Sequence, residues 1–282
     1  MHYLYLVAAV ILFGTHFRFN QIYERESGAG MRASCVFIAL SSLAGLVVLL
    51  FLNGPSFSVT PFALLLAGLS AVDGVAYSVF SIKAFGRVNL SLYSVFAMLG
   101  GMLLPTLTGL VFFHESLTLL KGLGLAVLLA AVLVPLAGTG DRKGLGYCFA
   151  VFCFNGLYGV FATLFEKLPY DKPTAAQYSI LVAALTAAVA ALMLPFLKKE
   201  RVPLNAKSIA ALAGYGVFNR VGNYLVLLAL TVLPASVQSP FVTGGVIIVS
   251  FLIGLVTKQK PAKAEYVSAA ASLAGLVLLI FA

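Results

Sequence analysis

Two stretches of the chain decide its architecture: Ala84–Gly101 (AFGRVNLSLYSVFAMLGG) and Leu228–Gly245 (LALTVLPASVQSPFVTGG). Laid on each other they are offset by 144 residues, and Gly100-Gly101 falls on Gly244-Gly245. An offset of 142 places Gly14–Arg25 (GTHFRFNQIYER) on Gly156–Lys167 (GLYGVFATLFEK), acid-base pair on acid-base pair. Self-similarity at half the chain length marks an internal repeat.

The residues around these stretches are apolar. Of 282 residues, 61% are hydrophobic and 10% are charged, the mean hydropathy is +1.05, and Trp is absent. A soluble domain is about 25% charged. Ten apolar runs emerge: 3–23, 31–52, 61–82, 88–112, 117–137, 145–166, 174–196, 207–230, 235–257 and 263–282. In lipid each must be a helix, because a helix satisfies its own backbone hydrogen bonds. Ten spans of about 20 residues leave no room for a soluble domain. A soluble enzyme, a DNA-binding protein and a receptor with a large ectodomain are excluded. The breaks carry turn chemistry or charge, as in Asn53-Gly54-Pro55 and Lys198-Lys199-Glu200-Arg201; the tightest is Leu233-Pro234.

Five runs per half is an odd number, so the second half enters the membrane upside down. The expected fold is an all-α membrane protein of ten transmembrane helices. They form two inverted five-helix repeats, residues 1–138 and 144–282. Transporters use this architecture, with the substrate site at the repeat interface near mid-membrane.

The formal charge of +9 does not point to nucleic acid, because the basic residues sit in short loops. Thirteen of the 18 Lys and Arg flank the loops after runs 1, 3, 5, 7 and 9. Three (Lys121, Lys167, Lys172) lie on the other side, and Arg18 and Arg220 lie within runs. By the positive-inside rule both termini are outside. The run starting at Tyr3 has no basic leader and no small-residue cleavage site, so it is expected to be a first span. Cys35, Cys148 and Cys153 lie in or beside apolar runs and behave as small apolar side chains.

The stretch Pro105–Val134 (PTLTGLVFFHESLTLLKGLGLAVLLAAVLV) resembles the EamA-type signature of the drug/metabolite transporter superfamily. Its features are a Pro in helix 4, Glu115 at the helix 4–5 turn, then Leu-Thr and a Gly. Leu12-Phe13-Gly14-Thr15 is similar to the family's first-helix start. The sequence departs from that pattern at Gln259 and Val249, where the second half would carry Glu and Pro, and at Phe13, where Trp is usual. The resemblance implies a ten-helix secondary transporter of small polar or amphipathic metabolites, not an enzyme. Family members often keep both termini in the cytoplasm, the reverse of the charge reading here. The expected setting is a bacterial inner (plasma) membrane, crossed many times.

Among nine acids only Asp73 is near a span centre, and among the bases only Arg220 is comparably central. An ionised group at mid-bilayer costs about 2.5–3.5 kcal/mol on insertion scales. The two sit on repeat-equivalent helices 3 and 8. Under the 144 offset Arg220 falls on Ala76, three residues from Asp73 and on the same helix face. Tyr77 and Phe80 share the Asp73 face, and Tyr224 that of Arg220. Such a site suits a zwitterion, its carboxylate on Arg220 and its ammonium on Asp73. The bland alternative is a plain Asp73–Arg220 interhelical salt bridge.

His16 and Asn20 share a face of helix 1, and His16 falls on Tyr158 under the 142 offset. His16 either carries a proton or hydrogen-bonds a neighbouring helix. Asn219 and Asn223 line a second face of helix 8. Asn89, Tyr93, Ser94, Asn155, Gln238, Ser239 and Thr243 either reach ligand or join helices at about 0.6 kcal/mol each. The small-residue pattern of Ser268 and Ser272 suits a dimer, so a monomer or weak dimer is expected. Glu115 is read as a fold marker favoured by the helix 5 dipole.

The substrate-binding set is thus Asp73, Tyr77, Arg220, Tyr224, His16, Asn20, Tyr158, Asn219 and Asn223, with no catalytic residue, no metal and no cofactor. The expected partners are a small-molecule substrate and the lipid bilayer, with proton coupling through Asp73 open and no nucleic acid. An amino acid or related zwitterion leads as cargo. A lipid-carrier flippase of the same fold and a membrane-embedded lipid enzyme are the alternatives.

Overall fold

The computed structural model describes residues 2–28, 30–55, 58–85, 90–134, 144–256 and 263–281. They form the helices α1 (His2–Ser27), α2 (Met31–Asn53), α3 (Pro61–Phe85), α4 (Leu90–Phe112), α5 (Leu119–Leu133), α6 (Leu145–Lys167), α7 (Ala175–Met193), α8 (Ala206–Leu230), α9 (Ala235–Val256) and α10 (Lys263–Ile280). Among the described residues there is no strand.

The chain's own polar residues start several of these helices. Thr174 and Gln177 form a capping box at α7, the Asn205 side chain accepts from Ser208 N at 2.8 Å at α8, and Thr118 caps α5. The seventh run is shorter than expected: α7 stops at Met193 and a 3₁₀ turn (Leu194–Phe196) follows, because Pro195 has no N–H to continue the helix. The break at Leu233-Pro234 falls between α8 and α9, as expected. The expected end of the fifth run, 134–137, lies mostly outside the described residues.

Seven helices, α2, α3, α4, α6, α7, α9 and α10, are long and apolar enough to cross a membrane. The chain is an all-helical, multi-pass membrane protein. Its surface agrees: Val47, Val72 and Leu107 are 52–64% exposed inside helices, where water would penalise them and lipid does not.

The main packing pairs are α1 with α8 and α9, α6 with α3 and α4, α2 with α7 and α8, α3 with α7, α4 with α9, and α10 with α5 and α9. Replacing each helix by the one five places along, cyclically, returns the same pairs with one exception. α9 packs broadly on α10, whereas its counterpart contact, α4 on α5, is slight.

Glycines bring these helices close. A Cβ on Gly100 (α4) would collide with the Phe152 carbonyl oxygen (α6), and one on Gly216 (α8) would collide with that of Ser41 (α2). Gly244 lies under Leu128 and Gly245 under Val10, so both Gly-Gly pairs serve packing.

The α4–α5 turn corrects the reading of Glu115. His114 adopts a left-handed backbone (φ 50°) and turns Glu115 away from α5. The Glu115 carboxylate accepts from the amides of Ala235 and Ser236, each at 2.9 Å, and so caps α9 in the other half of the chain. Gly109 makes the room, since a Cβ there would lie 2.5 Å from the carboxylate.

The small-residue pattern on α10 also faces inward. Ser268 Oγ donates to Ala131 O of α5 at 2.7 Å, and Ser272 is fully buried, so both lie inside the bundle and do not form an exposed face.

Close approach can be tested by sign. Gly100→Ala should destabilise by about 1–3 kcal/mol through overpacking against backbone. Gly122→Ala, where a Cβ meets nothing within 4 Å, should be neutral or stabilise by up to about 1 kcal/mol through helix propensity. Thermal unfolding in detergent reads both, and equal effects would contradict the packing.

Candidate functional site

The site begins where α8 touches α2. Gly216 and Gly45 lie at this crossing, and the Arg220 stem passes over Gly45, where a Cβ would collide with its Cγ. Held there, Arg220 is 8% exposed and its Nη2 donates to Ser42 Oγ at 2.7 Å. The Tyr158 hydroxyl of α6 accepts a second hydrogen bond from the same guanidinium. Neither partner carries a charge, so the positive charge of Arg220 is solvated but not neutralised.

Asp73 lies on α3 and is 5% exposed, yet neither carboxylate oxygen has a hydrogen-bond partner. Its charge reaches Tyr158, the same hydroxyl that binds Arg220. The plain Asp73–Arg220 salt bridge is therefore not formed: Arg220 bonds Tyr158, and Asp73 lies within electrostatic reach of that tyrosine without bonding it.

Hydroxyls and rings surround this point. Tyr77 and Tyr93 share a hydrogen bond at 2.9 Å, and Ser81 joins Tyr93 at 2.9 Å. Tyr215 of α8 is partly buried, within electrostatic reach of Tyr77, Tyr158 and Arg220. The buried His16 ring packs edge-on against Tyr215 with centroids 4.9 Å apart, and Phe13 lies 5.7 Å from His16. On the far side Tyr178 reaches Ser70 at 3.4 Å and feels Tyr158. Phe80 stacks on Phe154 at 5.4 Å.

The structure thus gathers Asp73, Tyr77, Tyr158, Arg220 and His16 around one centre. It separates Tyr224, whose hydroxyl donates to Asn53 Oδ1 at 3.1 Å at the end of α2, in the α2–α7–α8 packing with Leu49 and Ile180. Asn223 Nδ2 donates back to Asn219 O at 2.8 Å, a bond within α8. Among the described residues, no hydrogen bond ties Asn20, Asn219 or Asn223 to the Tyr158 centre. Asn155 is a helix joint, donating to Ala97 O at 2.6 Å above Gly101. Asn89, Gln259 and the Ser94 side chain lie outside the described residues.

Sequence reasoning does not find Ser42, Tyr215, Tyr178, Ser70 or Ser81. Ser42 carries a signal, the Ser41-Ser42 pair inside an otherwise apolar run.

A separate cavity of about 550 Å³ opens sideways between α2 and α7 and is lined by Val, Ala and Leu alone. None of the charged centre's residues lines it.

Ser42→Ala should leave the buried guanidinium one acceptor short. The expected loss is about 1.5–3 kcal/mol, the range for hydrogen bonds to charged groups. It is read as a lower Tm than Ser41→Ala gives.

No curated protein sequence matches the chain. One solved crystal structure shares the fold with a TM-score of 0.77, over 99% of this chain and 98% of that one, at 16% identity. Residues 142–281 match the EamA-like transporter family. The match falls on the second half, where Val249 and Gln259 depart from the pattern, and not on the Pro105–Val134 stretch that carries the resemblance. The second half of the chain is thus a match to the EamA-like transporter family, which supports membership of the drug/metabolite transporter superfamily.

Proposed function

We propose that the protein is a secondary transporter that moves a small polar or amphipathic metabolite across its membrane by alternating access. The leading cargo is an amino acid or related zwitterion. One observation carries this reading. Two opposite charges, Asp73 and Arg220, are buried within electrostatic reach of Tyr158 and leave each other unbonded, with the Asp73 oxygens unpartnered. A zwitterion completes both, its carboxylate on Arg220 and its ammonium on Asp73. The surrounding tyrosines give its apolar part a cover and its polar edges hydroxyls.

The ten helices read as two inverted five-helix repeats, residues 1–138 and 144–282. The packing pairs that survive a shift of five helices support this. In that arrangement α3 and α8 are mates, and the charges face one central site between the halves. The membrane is a bacterial inner membrane, and the loops after α1, α3, α5, α7 and α9 are cytoplasmic by their basic residues. Protonation of Asp73 couples transport to a proton; exchange without protons is the other mode the site allows.

A flippase of the same fold would need a lateral groove that passes a polar headgroup. The lateral α2–α7 cavity is wholly apolar and favours the small-metabolite reading.

A ligand at a hundredfold excess over Kd stabilises the folded state by about 2.7 kcal/mol. In a thermal-shift screen in detergent, zwitterionic amino acids should raise Tm, and Arg220→Ala and Asp73→Asn should each abolish the shift. Stabilisation by lipid phosphates alone, intact in both variants, would overturn the site. In proteoliposomes Asp73→Asn should remove any dependence of transport on a pH gradient. A reporter at the C-terminus should signal from outside the cytoplasm.

A further inference from the structure

The apolar cavity between α2 and α7 has a definite length and one charged end. On α2 it runs from Val36 to Leu46, and on the antiparallel α7 from Leu194 to Ala184. Ten residues of helix rise about 15 Å, which is the depth of one leaflet of hydrocarbon, half of about 30 Å. Small side chains make the floor on the α7 side, as at Ala188, and Leu43, 45% exposed, forms a wall.

At the Val36–Leu194 end stands Arg32, one helical turn before Val36. Its Nη1 donates to Leu194 O at 3.1 Å, which holds the guanidinium at the mouth of the cavity. Beyond Leu194 the chain continues into Lys198, Lys199 and Arg201, all exposed, with Glu200 as the one acid among them. The opposite ends of these helices carry Asn53 on α2 and Thr174 on α7, and the nearby Lys172 is turned onto the Phe165 carbonyl at the end of α6 with Asp171 beside it in sequence. The cavity thus ends in cations at the membrane surface and in apolar side chains at mid-membrane.

We propose that this groove binds one anionic phospholipid, with an acyl chain between α2 and α7 and the phosphate on Arg32, Lys198 and Lys199. Cations just outside a hydrocarbon-depth groove are the chemistry that recognises a lipid phosphate. The groove stops at mid-membrane and has no polar lining, so the lipid is a resident and not a cargo. The site is independent of Asp73 and Arg220.

The test reconstitutes the full chain in nanodiscs of pure phosphatidylcholine, or with phosphatidylglycerol of the same acyl chains added. Three proteins are compared: wild type, the rim variant Arg32→Gln/Lys198→Gln/Lys199→Gln, and the groove variant Ala188→Phe. Thermal unfolding and native mass spectrometry read the result. Wild type should gain about 3 °C or more from phosphatidylglycerol and retain one such lipid in the gas phase. Both variants should unfold as wild type does in phosphatidylcholine and lose the extra gain and the retained lipid. Equal stabilisation by both lipids would overturn the proposal. So would a phosphatidylglycerol gain that survives in the rim variant, which would show adsorption elsewhere. Dimeric mass lost in Ala188→Phe would assign the groove to a second copy of the chain instead. Zwitterion binding, measured in parallel, should be unchanged in both variants, which separates this site from the transport site.

Discussion

Asp73 and Arg220 are ionisable groups held in the part of the protein where water is scarcest, and they do not neutralise each other. Each would cost about 2.5–3.5 kcal/mol at mid-bilayer. The surrounding structure is arranged to bear that cost. Gly45 and Gly216 bring α2 and α8 together so that Ser42 can accept from Arg220. Tyr158 supplies the second acceptor from α6. Asp73 gets no such relief from the protein. An unsatisfied buried carboxylate is a sacrifice of stability that asks for a functional reason. In the transporter we propose, it marks the place where a ligand's donor completes the site.

Much of the fold was legible in the sequence because lipid is a strict solvent. A run of apolar residues in lipid has one good backbone solution, so the helices and their breaks can be read almost residue by residue. The α8–α9 break at Leu233-Pro234 is legible for the same reason. Readings that need a third dimension fail. Sequence order assigns Glu115 to the dipole of its own helix, because it shows which helix a residue precedes and not which distant helix its side chain reaches. The left-handed turn at His114, the gap at Gly109 and the α9 amides act together, and the last are far away in the chain. Ser268 and Ser272 likewise read as a dimer face, yet Ser268 is bonded to α5 and both are buried.

The candidate site divides the same way. Charge in an apolar run is rare enough to be found by inspection, which is why Asp73 and Arg220 stand out. Helical spacing puts Tyr77 and Tyr224 on the faces of the two charges, yet the structure keeps only Tyr77 near the centre, because a face shared along α8 still spans two neighbours. Arg220 reaches Ser42 while Tyr224, one turn on, reaches Asn53. Tyr215 is invisible to spacing, since its role comes from the His16 ring on α1.

The cap on α9 has a mechanical consequence. The carboxylate of Glu115 is fixed to the first amides of α9, and its backbone N–H is fixed to Gly109 O of α4. α4 and α9 also pack directly on each other. The end of one half is therefore riveted to the start of a helix in the other. Under the alternating access we propose, this corner would move as a single piece and serve as a fulcrum, and the travel would appear at the far ends of the same helices.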